Sequence, residues 1–317
     1  MTAMGLQWQI YPFEQLDGLC SAAIILRFAN MKSEPAKLGG FLSYANCDSI
    51  FSEMARQSNA LFFVLDFPPE HINELDKKLK SITLKNRIAY WSSHHHCGEK
   101  TISLLKTFVK IVDIPAGKSQ VCATELASNR FMPNDVVAGA LMAIASDIEF
   151  WQRQDQRAAK LNDVVAAGFD RKSLVDALSK GVFWSEKFDR LRNDYLKKKD
   201  FALAELPKRI LVKNYIGKNF GFAVAENFLG SAEAGQKLLD SATIDVSALI
   251  YRNGRLSFRR KEGCNIDLKA LAKIFGGGGH AYASGGSITN DFRNVSHENF
   301  EKVLFFVDRK LKDYFFG

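Results

Sequence analysis

The order of apolar and polar positions in the first half of the chain predicts strands that alternate with helices. Residues 6–10 alternate as in a half-buried strand, and residues 19–28 carry small and apolar residues at helical spacing. Residues 60–65 form an unbroken apolar run, which is typical of a strand buried on both faces of a parallel sheet. The same patterns predict strands at residues 87–91 and 108–114, and helices at residues 71–79, 123–130 and 134–151, the last capped by Asn134.

The second half of the chain has a different pattern. Residues 189–206 are rich in charge and poor in apolar positions, which predicts a solvated helical connector, although an ordinary surface helix gives the same pattern. Strands are predicted at residues 209–213, 220–225, 241–251 and 254–259, and a final helix at residues 298–315. We therefore expect an α/β protein: a mostly parallel N-terminal sheet flanked by helices, a helical connector and a smaller C-terminal α+β domain. The expected domain bounds are residues 1–185, 186–208 and 209–317.

Composition narrows the class of protein. A chain of 317 residues is long enough for two domains, and it has no apolar run of the length that crosses a membrane, so no membrane partner is expected. The five cysteines are scattered and odd in number, which favours a reducing cytoplasm over a disulfide frame or a zinc site. A net charge of +8 favours a polyanionic partner, nucleic acid above all. A basic protein without such a partner fits this charge almost as well.

Acidic residues and histidines follow the predicted strands of the first half. Asp17, Asp66 and His94 or His95 come just after strand ends, where ligands of open α/β sheets collect. Asp147, on the helix at residues 134–151, would reach the same place from another element. Oxygen ligands with one imidazole suit Mn²⁺ or Mg²⁺ better than structural zinc. An isolated Asp after a strand is usually a turn or cap residue, so it is the combination that predicts a metal site.

A glycine-rich stretch near the C-terminus predicts a phosphate-binding loop. Four glycines at residues 276–279 allow backbone N–H groups to converge on one anion, and His280 adds a donor. A flexible tight turn is the alternative interpretation of the glycines. Arg259 and Arg260 end a predicted strand shortly before this loop, and a guanidinium there would bind a phosphate with paired hydrogen bonds. A solvated basic strand end is the alternative for this pair, and it explains Arg259 less well than Arg260.

On these residues the chain resembles the DHH phosphoesterase superfamily, in the branch with a DHH-associated C-terminal domain. That branch includes RecJ-like exonucleases, nanoRNases and phosphatases of adenosine bisphosphate. The resemblance covers essentially the whole chain and is carried by residues 17–23, 91–95 and 276–286. It implies a phosphoesterase in which two Mn²⁺ or Mg²⁺ ions activate a water for attack on a phosphoester. It also implies that the glycine-histidine loop and an arginine hold the substrate phosphate across a cleft.

The resemblance assigns roles position by position. One ion site is retained, and the residues that would bind this ion are Asp17, Asp66, His94 and Asp147. His95 would be catalytic and face the substrate phosphate. The residues that would bind the phosphate are Arg259, Gly277, Gly278, Gly279 and His280.

The chain departs from the family pattern at three positions. Phe13 replaces the His and Gln15 the first Asp of the motif His-x-Asp-x-Asp-Gly, and Ser93 replaces the Asp of Asp-His-His. The second ion site is therefore expected to be lost, because an apolar ring stands where a cation ligand belongs.

Two functions remain open. In the first, the chain binds the phosphate of nucleotides or single-stranded nucleic-acid ends, and its hydrolysis of phosphodiesters is weakened or lost. It would act alone or with replication or RNA-processing proteins. Alternatively, it is an active Mn-dependent exonuclease, oligoribonuclease or nucleotide phosphatase that uses the retained site. An unrelated α/β protein with a glycine turn is a third and plainer alternative.

Overall fold

The computed structural model describes residues 6–115, 120–292 and 294–317. Its internal contacts divide the chain into a first unit, Met1–Arg192, and a second unit, Asn193–Gly317. The division falls within a helix at Glu186–Glu205, which covers most of the predicted connector. Of the helices in the described ranges, none is long and apolar enough to span a membrane.

The sheet of the first unit is parallel, and five strands of the described chain build it. These strands are β1 (Gln7–Pro12), β2 (Ala36–Leu38), β3 (Ala60–Leu65), β4 (Arg87–Ser92) and β5 (Val109–Asp113). Their order across the sheet is β2-β1-β3-β4-β5. The predicted α/β fold class is confirmed, and the carboxyl ends of all these strands lie at one edge.

Helices cover both faces of this sheet. The helices of the first unit are α1 (Leu16–Met31), α2 (Cys47–Arg56), α3 (Leu75–Thr83), α4 (Glu99–Phe108), α5 (Ala123–Phe131), α6 (Val136–Glu149), α7 (Gln156–Ala166) and α8 (Arg171–Ser179), and α9 (Glu186–Glu205) follows them. One face packs on α1 and α5 to α8, the other on α2 to α4. Phe63 and Leu65 belong to the first core, whereas Phe62 and Val64 belong to the second. Strand β3 is apolar throughout because both of its faces are buried.

The second unit is a mixed sheet with helices, as expected for an α+β domain. Its strands are β6 (Leu211–Tyr215), β7 (Lys218–Ala225), β8 (Val246–Tyr251), β9 (Arg255–Arg260), β10 (Gly278–Gly279) and β11 (Ala283–Ser287), and its helices are α10 (Ser231–Leu239), α11 (Leu268–Lys273) and α12 (Phe300–Phe316). In the described chain the strand order is β10-β11-β9-β8-β7-β6, antiparallel except for the parallel pair β7 and β8. Helices α11 and α12 pack on one face, and α10 packs on the other.

Two local predictions near the candidate site are corrected by the structure. Helix α1 begins at Leu16, three residues earlier than predicted, so Asp17 lies in its first turn and not in a loop. Helix α6 is capped by Asp135, whose side chain accepts a hydrogen bond from Ala138 N at 2.9 Å, and not by Asn134. Both corrections concern the first residue of a helix. Helix ends are difficult to locate from sequence to within one or two residues.

Candidate functional site

The sheet order brings three of the predicted residues together. Strand β1 lies between β2 and β3, so the chain leaves the sheet in different directions there, and ligands of open α/β sheets bind at such a point. Asp17 follows β1, Asp66 follows β3, and His94 follows β4. His94 Nδ1 lies 3.2 Å from Oδ2 of Asp17 and 2.9 Å from Oδ1 of Asp66. We call Asp17, Asp66 and His94 the acidic-histidine cluster.

The cluster is buried and contains polar atoms that the protein does not satisfy. Asp17 and Asp66 are 0% and 1% exposed. Oδ1 of Asp66 and Nδ1 of His94 form an ion pair at 2.9 Å, but neither makes a well-aligned hydrogen bond with any described residue. Buried polar atoms are rarely left unpaired without a functional reason. Two carboxylates and an imidazole are also suitable ligands for Mn²⁺ or Mg²⁺, so the residues present fit a divalent cation.

Asp17 is held in place by the start of α5. Its carboxylate accepts hydrogen bonds from Ala123 N and Thr124 N, each at 2.8 Å, and from the Thr124 hydroxyl. The first N–H groups of a helix have no partner within the helix, so an aspartate from another element can satisfy them. This arrangement fixes the carboxylate orientation from a part of the chain that is remote in sequence, a relationship that the sequence did not indicate.

The proton equilibria of the cluster reflect its crowded negative charge. Burial lowers the pKa of His94, but the nearby Asp17 and Asp66 outweigh burial and raise it to about 10. Burial raises the pKa of Asp66, and the charge of Asp17 raises it further, well above its usual range. Burial also raises the pKa of Asp17, but His94 and the hydrogen bonds from Thr124 hold it below its ordinary value. A cation would relieve the repulsion between the two carboxylates.

The carboxylate of the fourth predicted ligand, Asp147, makes its hydrogen bonds outside the cluster. Its Oδ1 accepts hydrogen bonds from Gln154 N and Asp155 N, so the carboxylate caps the turn after α6. Glu149, two residues later on the same helix, places Oε2 at 3.5 Å from His94 Nε2. Sequence reasoning missed Glu149. The available signal was the helical spacing, because side chains two residues apart on a helix point in different directions and only one of the pair is expected to reach a given point.

His95 and Ser93 complete the loop after β4. The His95 ring lies on that of His94 with centroids 4.1 Å apart, and Ser93 Oγ accepts a hydrogen bond from His95 N at 3.2 Å. Ligand atoms of Asp66, His94 and His95 lie within 4.8 Å of one another. Burial and the positive charge of His94 lower the pKa of His95 to about 4, so its imidazole is neutral at pH 7. Ser93 therefore organises the loop through its hydroxyl and brings no carboxylate.

An aromatic cluster surrounds Phe13, the residue after β1 that was expected to replace a metal ligand of the family motif. Phe13 is only 4% exposed, and its ring lies 5.2 Å from that of Tyr44 and 5.8 Å from that of Phe67. Gln15 is exposed at the N-cap of α1 and makes no side-chain cap hydrogen bond. The substitution at Phe13 is therefore absorbed into a hydrophobic core, which gives a physical reason for the expected loss of one ion site.

The glycine stretch forms a tight hairpin in the second unit. Gly278 and Gly279 form β10, which pairs with β11, and His280 N donates to Ala283 O at 2.8 Å. Gly279 has a φ of 132°, and a Cβ at Gly277 would overlap the carbonyl oxygen of Gly285. Both glycines are therefore required by the turn itself. The tight-turn interpretation accounts for most of the sequence pattern, because the backbone of Gly278 is paired with Gly285, although the space beside Gly278 is open.

The two arginines near the hairpin have different surroundings. Arg260 donates from Nε to Ala281 O at 3.0 Å and from Nη1 to Cys264 O, so its guanidinium already has partners in the protein. Arg259 makes no side-chain hydrogen bond or ion pair with any described residue. It pairs with Ala283 in the sheet, next to the hairpin. His280 is exposed, and its ring is stacked on that of Tyr282 with centroids 5.3 Å apart.

Comparison with known proteins gives relatives in sequence and in structure. No family model matches the chain. Over 172 residues it is 28% identical to oligoribonuclease NrnB of Bacillus subtilis (strain 168), a match that covers 52% of this chain and 42% of that protein. The chain thus aligns with less than half the length of this curated relative.

Solved structures give a broader match. A DHH domain of a member of the s1p family of ribosomal proteins has a TM-score of 0.64 at 14% identity, covering 96% of this chain and 86% of that one. RecJ of Thermus thermophilus, in complex with Mn²⁺, has a TM-score of 0.60 at 13% identity, covering 98% of this chain and 52% of that one. These solved structures show that the chain has the fold of DHH-domain proteins, so the expected resemblance is confirmed at the level of the fold.

Proposed function

We propose that the chain binds the phosphate of nucleotides or single-stranded nucleic-acid ends with the help of one divalent cation, and that its phosphodiester hydrolysis is weakened or lost. The observation that carries the proposal is the acidic-histidine cluster, in which Asp66 Oδ1 and His94 Nδ1 are buried and 2.9 Å apart, and neither makes a well-aligned hydrogen bond with a described residue. Its relatives include an oligoribonuclease and RecJ in complex with Mn²⁺.

Asp17, Asp66 and His94 would hold Mn²⁺ or Mg²⁺, with Glu149 beside them in the position that was expected for Asp147. When bound, such an ion neutralises phosphate charge and polarises a phosphoryl oxygen. The buried hydrogen bonds from Ala123 and Thr124 to Asp17 support this role because they fix a ligand before the ion arrives.

Weakened hydrolysis is inferred from the residues around Phe13. Two-metal phosphoesterases use ions about 3.5–4 Å apart to stabilise both the attacking and the leaving oxygen. A second ion has no ligand at Phe13, which is buried against Tyr44 and Phe67. Ser93 also supplies no carboxylate to orient a histidine, and loss of such a supporting group costs about 10–100-fold in metal affinity or activity.

The second unit would have a phosphate-binding surface of its own. Arg259 has no ion pair among the described residues, Gly278 has open space beside it, and His280 is exposed at the hairpin. Together with Gly277 and Gly279, which set the shape of the turn, these residues form a surface suited to an anion. The net charge of +8 favours the same class of ligand.

Binding and turnover of a labelled short oligonucleotide with Mn²⁺ test the proposal. We expect salt-sensitive binding that requires Mn²⁺, is weakened by Asp66→Asn and by His280→Ala, and is accompanied by little or no cleavage. An affinity for the oligonucleotide that is unchanged by Mn²⁺, by salt and by both substitutions would contradict the proposal.

A second candidate is an active Mn-dependent exonuclease, oligoribonuclease or nucleotide phosphatase that uses the single ion site. Glu149 favours this alternative because it adds a carboxylate beside His94 that the family motifs did not predict. Turnover that disappears in Asp66→Asn, with His95 required as well, would establish hydrolysis and replace the weakened-enzyme proposal.

A further inference from the structure

An exposed aromatic pair lies on the cluster that contains Phe13. The ring of Tyr44 is 4.3 Å from that of His71, with the two planes inclined by 37°. Beneath it, Tyr44 contacts the buried rings of Phe13 and Phe67, at 5.2 and 6.0 Å. Tyr44 itself is 50% exposed. A large flat ring is thus presented to solvent on a rigid apolar support.

This pair adjoins the acidic-histidine cluster. Phe67 directly follows Asp66, and Phe13 lies four residues before Asp17. Burial raises the pKa of Tyr44, and the charges of Asp66 and Glu149 raise it further, as expected for a phenol close to both carboxylates. The aromatic surface therefore borders the place where a phosphate would meet the divalent cation.

The chemistry of the pair suits a planar ligand. The Tyr44 hydroxyl makes no hydrogen bond with the described residues, so packing alone holds the ring in place. Aromatic side chains next to a phosphate-binding site bind nucleobases by stacking, and each stacked base contributes substantially to affinity in single-stranded complexes. A phosphate ester without a base gains nothing from this surface.

We propose that Tyr44 and His71 form a base-stacking site for the nucleobase attached to the phosphate at the acidic-histidine cluster. The inference rests on the proposed function and narrows its ligands to nucleotides and single-stranded ends, in preference to phosphate esters that lack a base. The inference also assigns a role to Phe13, because its ring packs against Tyr44 and supports the stacking residue.

The test compares AMP with ribose 5-phosphate, which differ by the adenine, in titration calorimetry with Mn²⁺. We expect AMP to bind the wild-type protein about 5- to 150-fold more tightly. Tyr44→Leu keeps an apolar contact with Phe13 but removes the ring, and it should abolish this advantage without changing the affinity for ribose 5-phosphate. Tyr44→Phe should retain the advantage, because the hydroxyl has no partner among the described residues.

Tyr314→Leu is the matched control, since Tyr314 is a partly exposed tyrosine on α12 and should not affect either ligand. Equal wild-type affinity for AMP and ribose 5-phosphate would overturn the stacking site, and so would a Tyr44→Leu variant that weakens both ligands alike. Failure of the proposed function has a separate signature: ribose 5-phosphate binding would then respond neither to Mn²⁺ nor to His94→Ala.

Discussion

Glu149 Oε2 lies 3.5 Å from Nε2 of His94, while the carboxylate of Asp147, two residues earlier on α6, caps the turn that follows the helix. The residue that the family motif indicated and the residue whose carboxylate contacts His94 are therefore different. This difference can be measured, because the two carboxylates have separate predicted effects.

Glu149→Gln should lower the affinity for Mn²⁺ about 10-fold, because it removes a negative charge beside the proposed ion. Asp147→Asn should leave Mn²⁺ affinity unchanged but reduce the free energy of unfolding by about 1 kcal/mol, since it weakens hydrogen bonds to Gln154 and Asp155. Calorimetric titration and urea unfolding separate the two effects. The reverse pattern would restore Asp147 as the ligand.

His94→Ala should reduce Mn²⁺ affinity by at least about 100-fold, because its imidazole is the central group of the acidic-histidine cluster and its loss exceeds that of a supporting residue. His96→Ala is a suitable control, since His96 is exposed in the same loop. Equal Mn²⁺ affinity of the His94→Ala and wild-type proteins, measured by titration, would show that the cluster is a structural ion pair.

The glycine hairpin permits a comparison between neighbouring residues. Gly277→Ala should destabilise the protein by about 1–3 kcal/mol, because the added methyl group would overlap the carbonyl oxygen of Gly285. Gly278→Ala should change stability by less than about 0.5 kcal/mol, since the space around Gly278 is open. Urea unfolding measures both, and similar losses in the two variants would contradict the hairpin geometry.

Asp308 should make folding of the chain sensitive to acid. Burial raises its pKa, but hydrogen bonds from Tyr215, Lys312 and Lys213 outweigh burial and hold the pKa below its ordinary value. A depressed carboxyl pKa contributes stability that is fully present above the unfolded pKa of about 4 and is lost as the pH falls through the folded pKa.

The excess unfolding free energy of wild type over Asp308→Asn should therefore decrease as the pH falls from about 7 to about 3, as followed by urea unfolding at each pH. Asp313→Asn, an exposed position on the same helix, should match the wild type throughout. An Asp308→Asn difference that stays constant over this range would show that the carboxylate charge does not contribute.

The strands of the first unit were predictable because strand positions that are buried on both faces of a sheet are apolar. Residues 60–65 are all apolar since the two faces of β3 pack against separate cores. The start of α1 was not predictable in the same way. Asp17 and Gly18 look like a turn in sequence, but Gly18 is helical, and its glycine is required because a Cβ there would overlap the carbonyl oxygen of Phe13. The close approach of the backbone at Gly18 to that at Phe13 could not be predicted from the local sequence.

The candidate site was predictable to the level of strand ends. Asp17, Asp66 and His94 were identified because parallel strands bring their carboxyl ends to one edge. Thr124 and Glu149 were missed because their roles depend on how helices pack over that edge. Asp147 was assigned from the family resemblance, which does not reveal that its carboxylate also caps a turn. Such choices are decided by tertiary contacts.

The burial of Phe13 makes the departure from the family pattern difficult to reverse. Restoring a histidine there would place a polar ring between Tyr44 and Phe67, and an unpaired buried polar group costs about 1–3 kcal/mol. Gln15→Asp alone would add an exposed carboxylate, but the histidine that accompanies it in the family motif would still be absent at position 13. An engineer who wished to rebuild a two-ion enzyme from this chain would have to redesign the aromatic core first, and the motif residues second.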